Sequence, residues 1–264
     1  MTEFCINYSV PAGELYRLGQ IPLDRFKLPD WPELIAHFFH SDYPFYVHFS
    51  LNLGCGELLN TNWQQVEALL RQGAAPYVNL HLNAPTNLNP HDPGAVERYR
   101  TNTLAEARQI VQYFGAENVI CENCPLIGDK EYNLAAIDPH FITQLINESG
   151  CGFLFDYSHA RLAARSLGMD EHDYIARLPL ERLRELHITG IRTYQGHEED
   201  HFELNEGDWA EMHWIETQIE TGQWPRPQIV AFEYGGMGPV FEFRTDRTAI
   251  AEQAPRLHRI FSHP

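Results

Sequence analysis

The chain has 264 residues, 44% of them hydrophobic and 21% charged, and 19 Lys and Arg against 36 Asp and Glu give a formal net charge of −17. This charge argues against binding to nucleic acids or to anionic membrane surfaces, both of which need clustered cations. The chain has no apolar run of the roughly 18 residues that a membrane span needs, no basic secretory start, and an odd number of cysteines, five, which together predict a cytoplasmic protein without a disulfide framework.

Short runs of β-branched and aromatic residues alternate along the chain with longer amphipathic stretches, a pattern typical of strands and helices in a parallel α/β fold. The predicted strands are FCINYS (4–9), LDRFKLP (23–29), FYVHFSL (45–51), YVNLHLN (77–83), NVICEN (118–123), GFLFDY (152–157), LRELHIT (183–189) and QIVAFEY (228–234). The predicted helices lie at 31–40, 62–72, 95–114, 139–149, 209–221 and 246–261. Eight strands in about 250 residues predict a (β/α)8 TIM barrel, formed as one domain over residues 1–264.

Side chains that can bind metals stand at the ends of six predicted strands. They are His48, His81, Glu122, Asp156, His187 and Glu233. His159 follows three residues after Asp156, and the predicted loop after the seventh strand adds Asp200 and His201. In a TIM barrel, the carboxyl ends of the strands form the face that carries the active site, so these nine residues are candidate ligands.

Three carboxylates at one barrel mouth would raise one another's pKa unless a cation lies among them. The nearby basic residues, Lys27, Arg161 and Arg192, are too few to neutralise the whole set. Imidazole and carboxylate together suit zinc, iron or manganese, and nine ligands are too many for one ion, so we predict two or three ions. Lys27, Asn123 and Arg192 are candidates for substrate binding.

Several of these residues have a second interpretation that the sequence leaves open. Asp156 and His159, in FDYSHARLAA, fit a helix cap with a neighbouring histidine as well as they fit a pair of ligands. Asp208 could cap a helix that begins at Trp209. In CENCP, Cys121 and Cys124 have redox spacing, but their position on a strand favours buried thiols. The loop YGGMG (234–238) favours a tight turn over a phosphate site.

The ordered set HFSLNLG, LHLN, ENCP, DYSHA, ELHITG, DH…EGDW and FEYGG resembles the multinuclear non-haem iron-dependent oxidative enzyme family, one of the xylose-isomerase-like TIM barrels. The resemblance implies that His48 and His81 bind one iron and that Glu122 bridges it to a second. It assigns Asp156, His187 and Glu233 to the second iron, and His159, Asp200 and His201 to a third. Family members usually carry Asn in place of His159 and one residue between the loop acid and histidine, so both departures fall on the third iron.

The resemblance implies a cofactor of two or three iron ions and an oxygen-dependent oxidation of a cysteine, or of a neighbouring carbon, in a ribosomally made peptide. Such a peptide is often presented by a separate companion protein, and a small-molecule substrate stays open. The alternative is a zinc- or manganese-dependent hydrolase or sugar isomerase or epimerase on the same barrel. DYSHARLAA also resembles zinc AP endonucleases, but the net charge of −17 argues against DNA as substrate.

Overall fold

The computed structural model describes residues 2–128 and 130–262. Its strands are β1 (Glu3–Asn7), β2 (Arg25–Pro29), β3 (Phe45–His48), β4 (Leu51–Leu53), β5 (Val78–Leu82), β6 (Val119–Glu122), β7 (Gly152–Asp156), β8 (Leu183–Ile188), β9 (Gly190–Tyr194), β10 (His197–Phe202) and β11 (Ile229–Phe232). Its α-helices are α1 (Val10–Arg17), α2 (Pro32–Phe39), α3 (Trp63–Arg71), α4 (Pro93–Phe114), α5 (Pro139–Ser149), α6 (Tyr157–Ser166), α7 (Glu171–Ile175), α8 (Glu206–Glu220) and α9 (Arg247–Phe261). In residues 2–128 and 130–262, none of these helices combines the length and apolarity that crossing a membrane requires.

The eight predicted strands all coincide with observed strands, and the six predicted helices with observed helices. One predicted strand, 45–51, is divided into β3 and β4. The prediction did not include α1, α6, α7 or the pair β9 and β10. The stretch at 197–202, predicted as loop, is a strand. Its sequence, HEEDHF, has almost none of the apolar alternation by which a strand is predicted.

Two compact units are distinguished by their internal contacts, and each contains part of the parallel sheet. The first unit comprises Met1–His48 and Arg184–Pro264. Its parallel strands lie in the order β3-β2-β1-β11-β8. Their central residues are almost fully buried, which explains the continuous apolar runs from which the strands were predicted.

The second unit comprises Phe49–Leu183, and its parallel strands lie in the order β7-β6-β5-β4. The helices α3 to α7 belong to this unit. Within it, β6 and β7 are buried along their whole length. In this unit β6 ends at Glu122 and β7 at Asp156, and His81 is the last residue but one of β5.

Most helices begin at a short polar side chain that accepts a hydrogen bond from the first helical turn. These N-caps are Ser9, Asn62, Asp92, Asp138, Asp156, Asp170, Asn205 and Asp246. Such caps satisfy backbone N–H groups that have no partner within the helix. Helix α8 begins at Glu206 and not at Trp209, because Asn205 is its cap and Asp208 completes a capping box by accepting from the Asn205 N–H at 2.8 Å.

Strands β9 and β10 form an antiparallel hairpin with a two-residue turn at Gln195 and Gly196, both with positive φ (50° and 86°). This conformation is that of a hairpin turn that matches the twist of the strands. At the base of the hairpin, Gly190 pairs with Phe202, and a Cβ on Gly190 would lie 2.1 Å from the carbonyl oxygen of Glu203. The base therefore requires glycine.

Candidate metal centre

The first unit contains a group of two imidazoles and two carboxylates, His48, Glu185, His187 and Glu233, here named the first ligand group. His48, Glu185 and His187 offer ligand atoms within 4.8 Å of one another. Glu233 joins them because its Oε1 lies 3.2 Å from Nδ1 of His187. Glu185 was not among the predicted ligands, although alternation along β8 places it on the same face as His187, two residues on.

The register of the parallel strands explains why these side chains meet. Ala231 of β11 lies opposite His187 of β8, so Glu233, two residues further, faces the same side of the sheet one level nearer its carboxyl edge. Glu185 lies opposite Ile229, one level further from that edge than His187. The group therefore occupies successive levels of one sheet face.

Lys27 and Tyr46 balance the buried carboxylates of the first ligand group. Lys27, buried on β2, forms an ion pair with Oε1 of Glu233, and its predicted contact with substrate stays a prediction. Tyr46 donates a hydrogen bond of 2.8 Å to Oε1 of Glu185. Burial nevertheless raises the pKa of Glu185 from 4.5 to about 7, against the opposing effects of Lys27 and the Tyr46 hydrogen bond.

This raised pKa predicts a pH-dependent stability of the metal-free protein. Between pH 4.5 and 7 the folded state binds the Glu185 proton more strongly than the unfolded state does, so the free energy of unfolding falls as pH rises through that window. A pKa shift of this size changes the free energy of unfolding by at most about 3 kcal/mol over the window. Urea denaturation at pH 5 and 7.5 should therefore show Glu185→Gln gaining stability relative to wild type at the higher pH. A stability difference that is constant over the window would contradict this expectation.

The second unit contains a matching set of two imidazoles and two carboxylates, His81, Glu122, Asp156 and His159, here named the second ligand group. Ligand atoms of Glu122, Asp156 and His159 lie within 4.8 Å of one another. Oε2 of Glu122 lies 3.3 Å from Nε2 of His81, and Oε1 lies 3.3 Å from Nδ1 of His159. His81 is paired with Glu122 in the register of β5 and β6, which places both on one face.

Asp156 acts as a helix cap, and its second oxygen belongs to the ligand group, so its two interpretations are compatible. Oδ1 accepts a hydrogen bond of 2.7 Å from the backbone N–H of His159 at the start of α6. Oδ2 lies 3.8 Å from Nε2 of the same histidine. Nδ1 of His159 lies 2.9 Å from the carbonyl oxygen of Asn123, which leaves Nε2 as the nitrogen suited to bind a metal.

Asn123 holds the end of β7 in place through its side chain. Its amide nitrogen donates to the carbonyl of Asp156 and its oxygen accepts from the Asp156 N–H, both at 2.9 Å. Its side chain is fully buried. In this structure Asn123 thus positions a candidate ligand, and its predicted contact with substrate stays a prediction.

The predicted ligands Asp200 and His201 lie on β10 of the hairpin, at a bulge between Glu199 and Phe202. In the part of the chain that the structure describes, neither joins the first ligand group. His201 adopts a positive φ of 60°, and its Nδ1 lies 2.8 Å from the backbone oxygen of Glu233. Arg192, predicted near the substrate, pairs with Glu203 at 3.1 Å on the same hairpin.

None of the five cysteines, all of which lie within the described residues, forms a disulfide, and burial raises the pKa of the Cys121 and Cys124 thiols well above the usual value. Thiols held protonated in this way are poor nucleophiles and poor metal ligands. The loop at Gly236 is a tight turn, as its sequence favoured, because the Gly236 N–H donates to Oγ1 of Thr245 at 3.1 Å.

The two groups fit a transition metal by their donor chemistry. Each offers two imidazoles and two carboxylates, with Glu122, Asp156, Glu185, His187 and Glu233 at most 4% exposed. Imidazole nitrogen with carboxylate oxygen suits iron, zinc and manganese. Carboxylates held this far from water are costly unless cations face them, which a bound ion provides.

Comparison with protein families identifies a match over residues 29–209 to the model of the RiPP precursor modification enzyme MbnB/TglH/ChrH. A UPF0276 protein of Acaryochloris marina is 26% identical over 214 residues, which cover 78% of this chain and 72% of that protein. A UPF0276 protein of Pseudomonas aeruginosa is 27% identical over 152 residues, covering 56% and 53% of the two chains. These matches confirm the family resemblance drawn from the strand-end motifs.

Two solved structures resemble this one over nearly the whole of both chains. D-psicose 3-epimerase, crystallised with D-fructose, is 8% identical with a TM-score of 0.56, covering 98% of this chain and 99% of its own. Endonuclease IV from Thermus thermophilus is 16% identical with a TM-score of 0.53, covering 98% of each chain. At such low identity the likeness shows the fold alone, and it confirms the predicted α/β TIM barrel.

Proposed function

Because the chain belongs to the family of RiPP precursor modification enzymes MbnB/TglH/ChrH, we propose that it is an oxygen-dependent iron enzyme that oxidises a cysteine-containing, ribosomally made peptide. The observation that carries the proposal is the pair of ligand groups, each with two imidazoles and two carboxylates on the parallel strands or within a few residues of their ends. Each group is large enough for at least one ion, so the chain has ligands for the proposed two or three irons.

The chain's own residues hold and shield the ions and give them their charge environment. His48, His187 and Glu233 would bind iron in the first ligand group, and His81, Glu122, Asp156 and His159 in the second. Bound iron would supply the redox chemistry and a binding site for the substrate thiolate. The protein's buried thiols keep their protons, since burial raises their pKa, and so do not compete with a substrate cysteine.

The substrate would come from outside this chain. We propose a peptide, delivered in the cytoplasm by a separate companion protein, as the family membership suggests. Neither nucleic acid nor membrane is expected as a partner, because the net charge of −17 repels phosphate-rich surfaces.

The test is metal analysis of protein produced with iron available, followed by oxygen-uptake measurement with candidate cysteine peptides. We expect two or three irons per chain, and oxygen consumption that requires both iron and peptide. The peptide product should have lost hydrogen or gained oxygen at or next to the cysteine, as mass spectrometry would show. Stoichiometric zinc without iron, in protein produced with both metals supplied, would sink the oxidative proposal.

A zinc- or manganese-dependent hydrolase or sugar epimerase is the second candidate. The same imidazole and carboxylate donors suit those ions, and a bound ion would lower the pKa of its water for hydrolysis or proton transfer. The fold shared with D-psicose 3-epimerase is compatible with this candidate. Turnover that continues unchanged after oxygen is removed, with zinc or manganese bound, would favour it over the iron enzyme.

A further inference from the structure

The imidazole of His187 lies between two carboxylates, one near each ring nitrogen. Nε2 lies 2.9 Å from Oε1 of Glu185, and Nδ1 lies 3.2 Å from Oε1 of Glu233. His187 and Glu185 are 0% and 1% exposed, so neither contact is shared with bulk water. We propose that Glu185 is a positioning residue, which fixes the ring and the tautomer of His187 so that Nδ1 is the nitrogen that binds metal.

The hydrogen bond from Tyr46 determines the direction of the Glu185–His187 contact. The Tyr46 hydroxyl donates to the same atom, Oε1 of Glu185, at 2.8 Å. Burial and the nearby Glu185 raise the pKa of Tyr46 well above 10, so this hydroxyl stays protonated and remains a donor. An oxygen that accepts from Tyr46 has a second lone pair for another donor, and the N–H of His187 must then be on Nε2.

The level of each carboxylate on the sheet separates their roles. Glu185 is opposite Ile229 and His187 is opposite Ala231, whereas Glu233 follows the end of β11 by one residue. Measured along the strand, Glu185 therefore lies about 7 Å further from the carboxyl edge than His187 does. Glu233 lies nearer to that edge than His187. An ion bound at the edge would meet Glu233 and Nδ1 of His187, with Glu185 behind the ring.

A carboxylate behind a ligating histidine has two effects. It holds the ring in one orientation, and it makes the opposite nitrogen more basic, which strengthens the bond to a metal. Loss of such a partner typically lowers metal affinity about 10- to 100-fold. The inference rests on the metal dependence of the proposed function, but it depends neither on iron nor on the oxidative reaction.

The first measurement is nitrogen NMR of the metal-free wild-type protein at pH 8, with the His187 signals assigned by comparison with His187→Gln. We expect the Nε2–H tautomer of His187 in wild type and in Glu185→Gln, where the amide oxygen still accepts. Glu185→Leu has no acceptor, and its His187 should exchange between tautomers. An Nδ1–H tautomer in wild type would overturn the proposal, and this readout requires no metal and no activity.

The second measurement is zinc affinity by competition with a chelator of known affinity. In Glu185→Leu, zinc at the weakest site should bind about 10- to 100-fold less tightly than in wild type. Glu185→Gln should recover most of this affinity. Glu252→Leu, a substitution at an exposed glutamate, should have the zinc affinity of wild type. Thermal melting of each metal-free variant shows whether it is folded. Equal zinc affinity in folded Glu185→Leu and wild type would overturn the proposal. A wild-type chain that binds neither zinc nor iron would instead overturn the proposed function, while the NMR result would still decide the tautomer.

Discussion

Replacing Glu122 by alanine is expected to remove at least one metal ion per chain and to abolish metal-dependent turnover. The two oxygens of its carboxylate lie 3.3 Å from the imidazoles of His81 and His159, the two histidines of the second ligand group. Its side chain is 3% exposed, so water cannot easily take the place of the lost oxygens. The affinity of this group should fall by more than the ~10- to 100-fold that loss of an outer partner costs.

Metal content of Glu122→Ala is measured by elemental analysis after purification with excess iron and removal of loosely bound ions. Glu131→Ala is the matched control, since Glu131 is an exposed glutamate in the same unit. Glu122→Gln retains the shape without the charge and should give an intermediate metal content. Wild-type metal content in folded Glu122→Ala would show that Glu122 pairs with the two histidines for structural reasons only.

The second large effect concerns Asp156, where cap and ligand can be separated. Asparagine caps helices about as well as aspartate, so Asp156→Asn should retain the 2.7 Å bond to the His159 N–H and most of the metal-free stability. It has lost the negative charge of Oδ2, so the protein should lose about one ion. Asp156→Ala has neither function, and its metal-free form should be about 1 kcal/mol less stable than Asp156→Asn.

Asp170 provides the matched control, because its carboxylate caps α7 in the same way and belongs to neither ligand group. Asp170→Asn should change neither metal content nor metal-free stability by more than a few tenths of a kcal/mol. Urea denaturation of the metal-free proteins and elemental analysis of the loaded ones give the two readouts. If Asp156→Asn retained all of its metal, Asp156 would be a cap alone.

The strands of the sheet could be predicted because their residues are buried on both faces. The run of β11 consists of apolar and aromatic residues between Pro227 and Gly235, and the three central residues of β1 are apolar and buried. The β9–β10 hairpin could not be predicted in this way. Its second strand carries three acidic residues in succession, and its pairing depends on the turn at Gln195 and Gly196 and not on burial.

The ligands at strand ends were predictable for a related reason. A polar residue at the end of a buried run must lie at the carboxyl edge, where parallel strands bring such residues together, as with His81 and Glu122. Glu185 was missed because it is inside its strand and not at the end. Only the three-dimensional structure reveals that Tyr46, 139 residues earlier in the chain, donates to it. Asp156 shows that a local motif can serve two functions at once.

The hairpin at β9 and β10 has a base with no room for an added side chain and a tip that faces open space, where the positive φ of Gly196 (86°) still favours glycine. Any side chain at Gly190 would push against the Glu203 backbone, whereas a Cβ at Gly196 meets no atom within 4 Å. Insertions at the tip would therefore lengthen this arm without moving β8 or β11, which carry His187 and lead to Glu233. The length of this arm is therefore independent of the positions of the first ligand group.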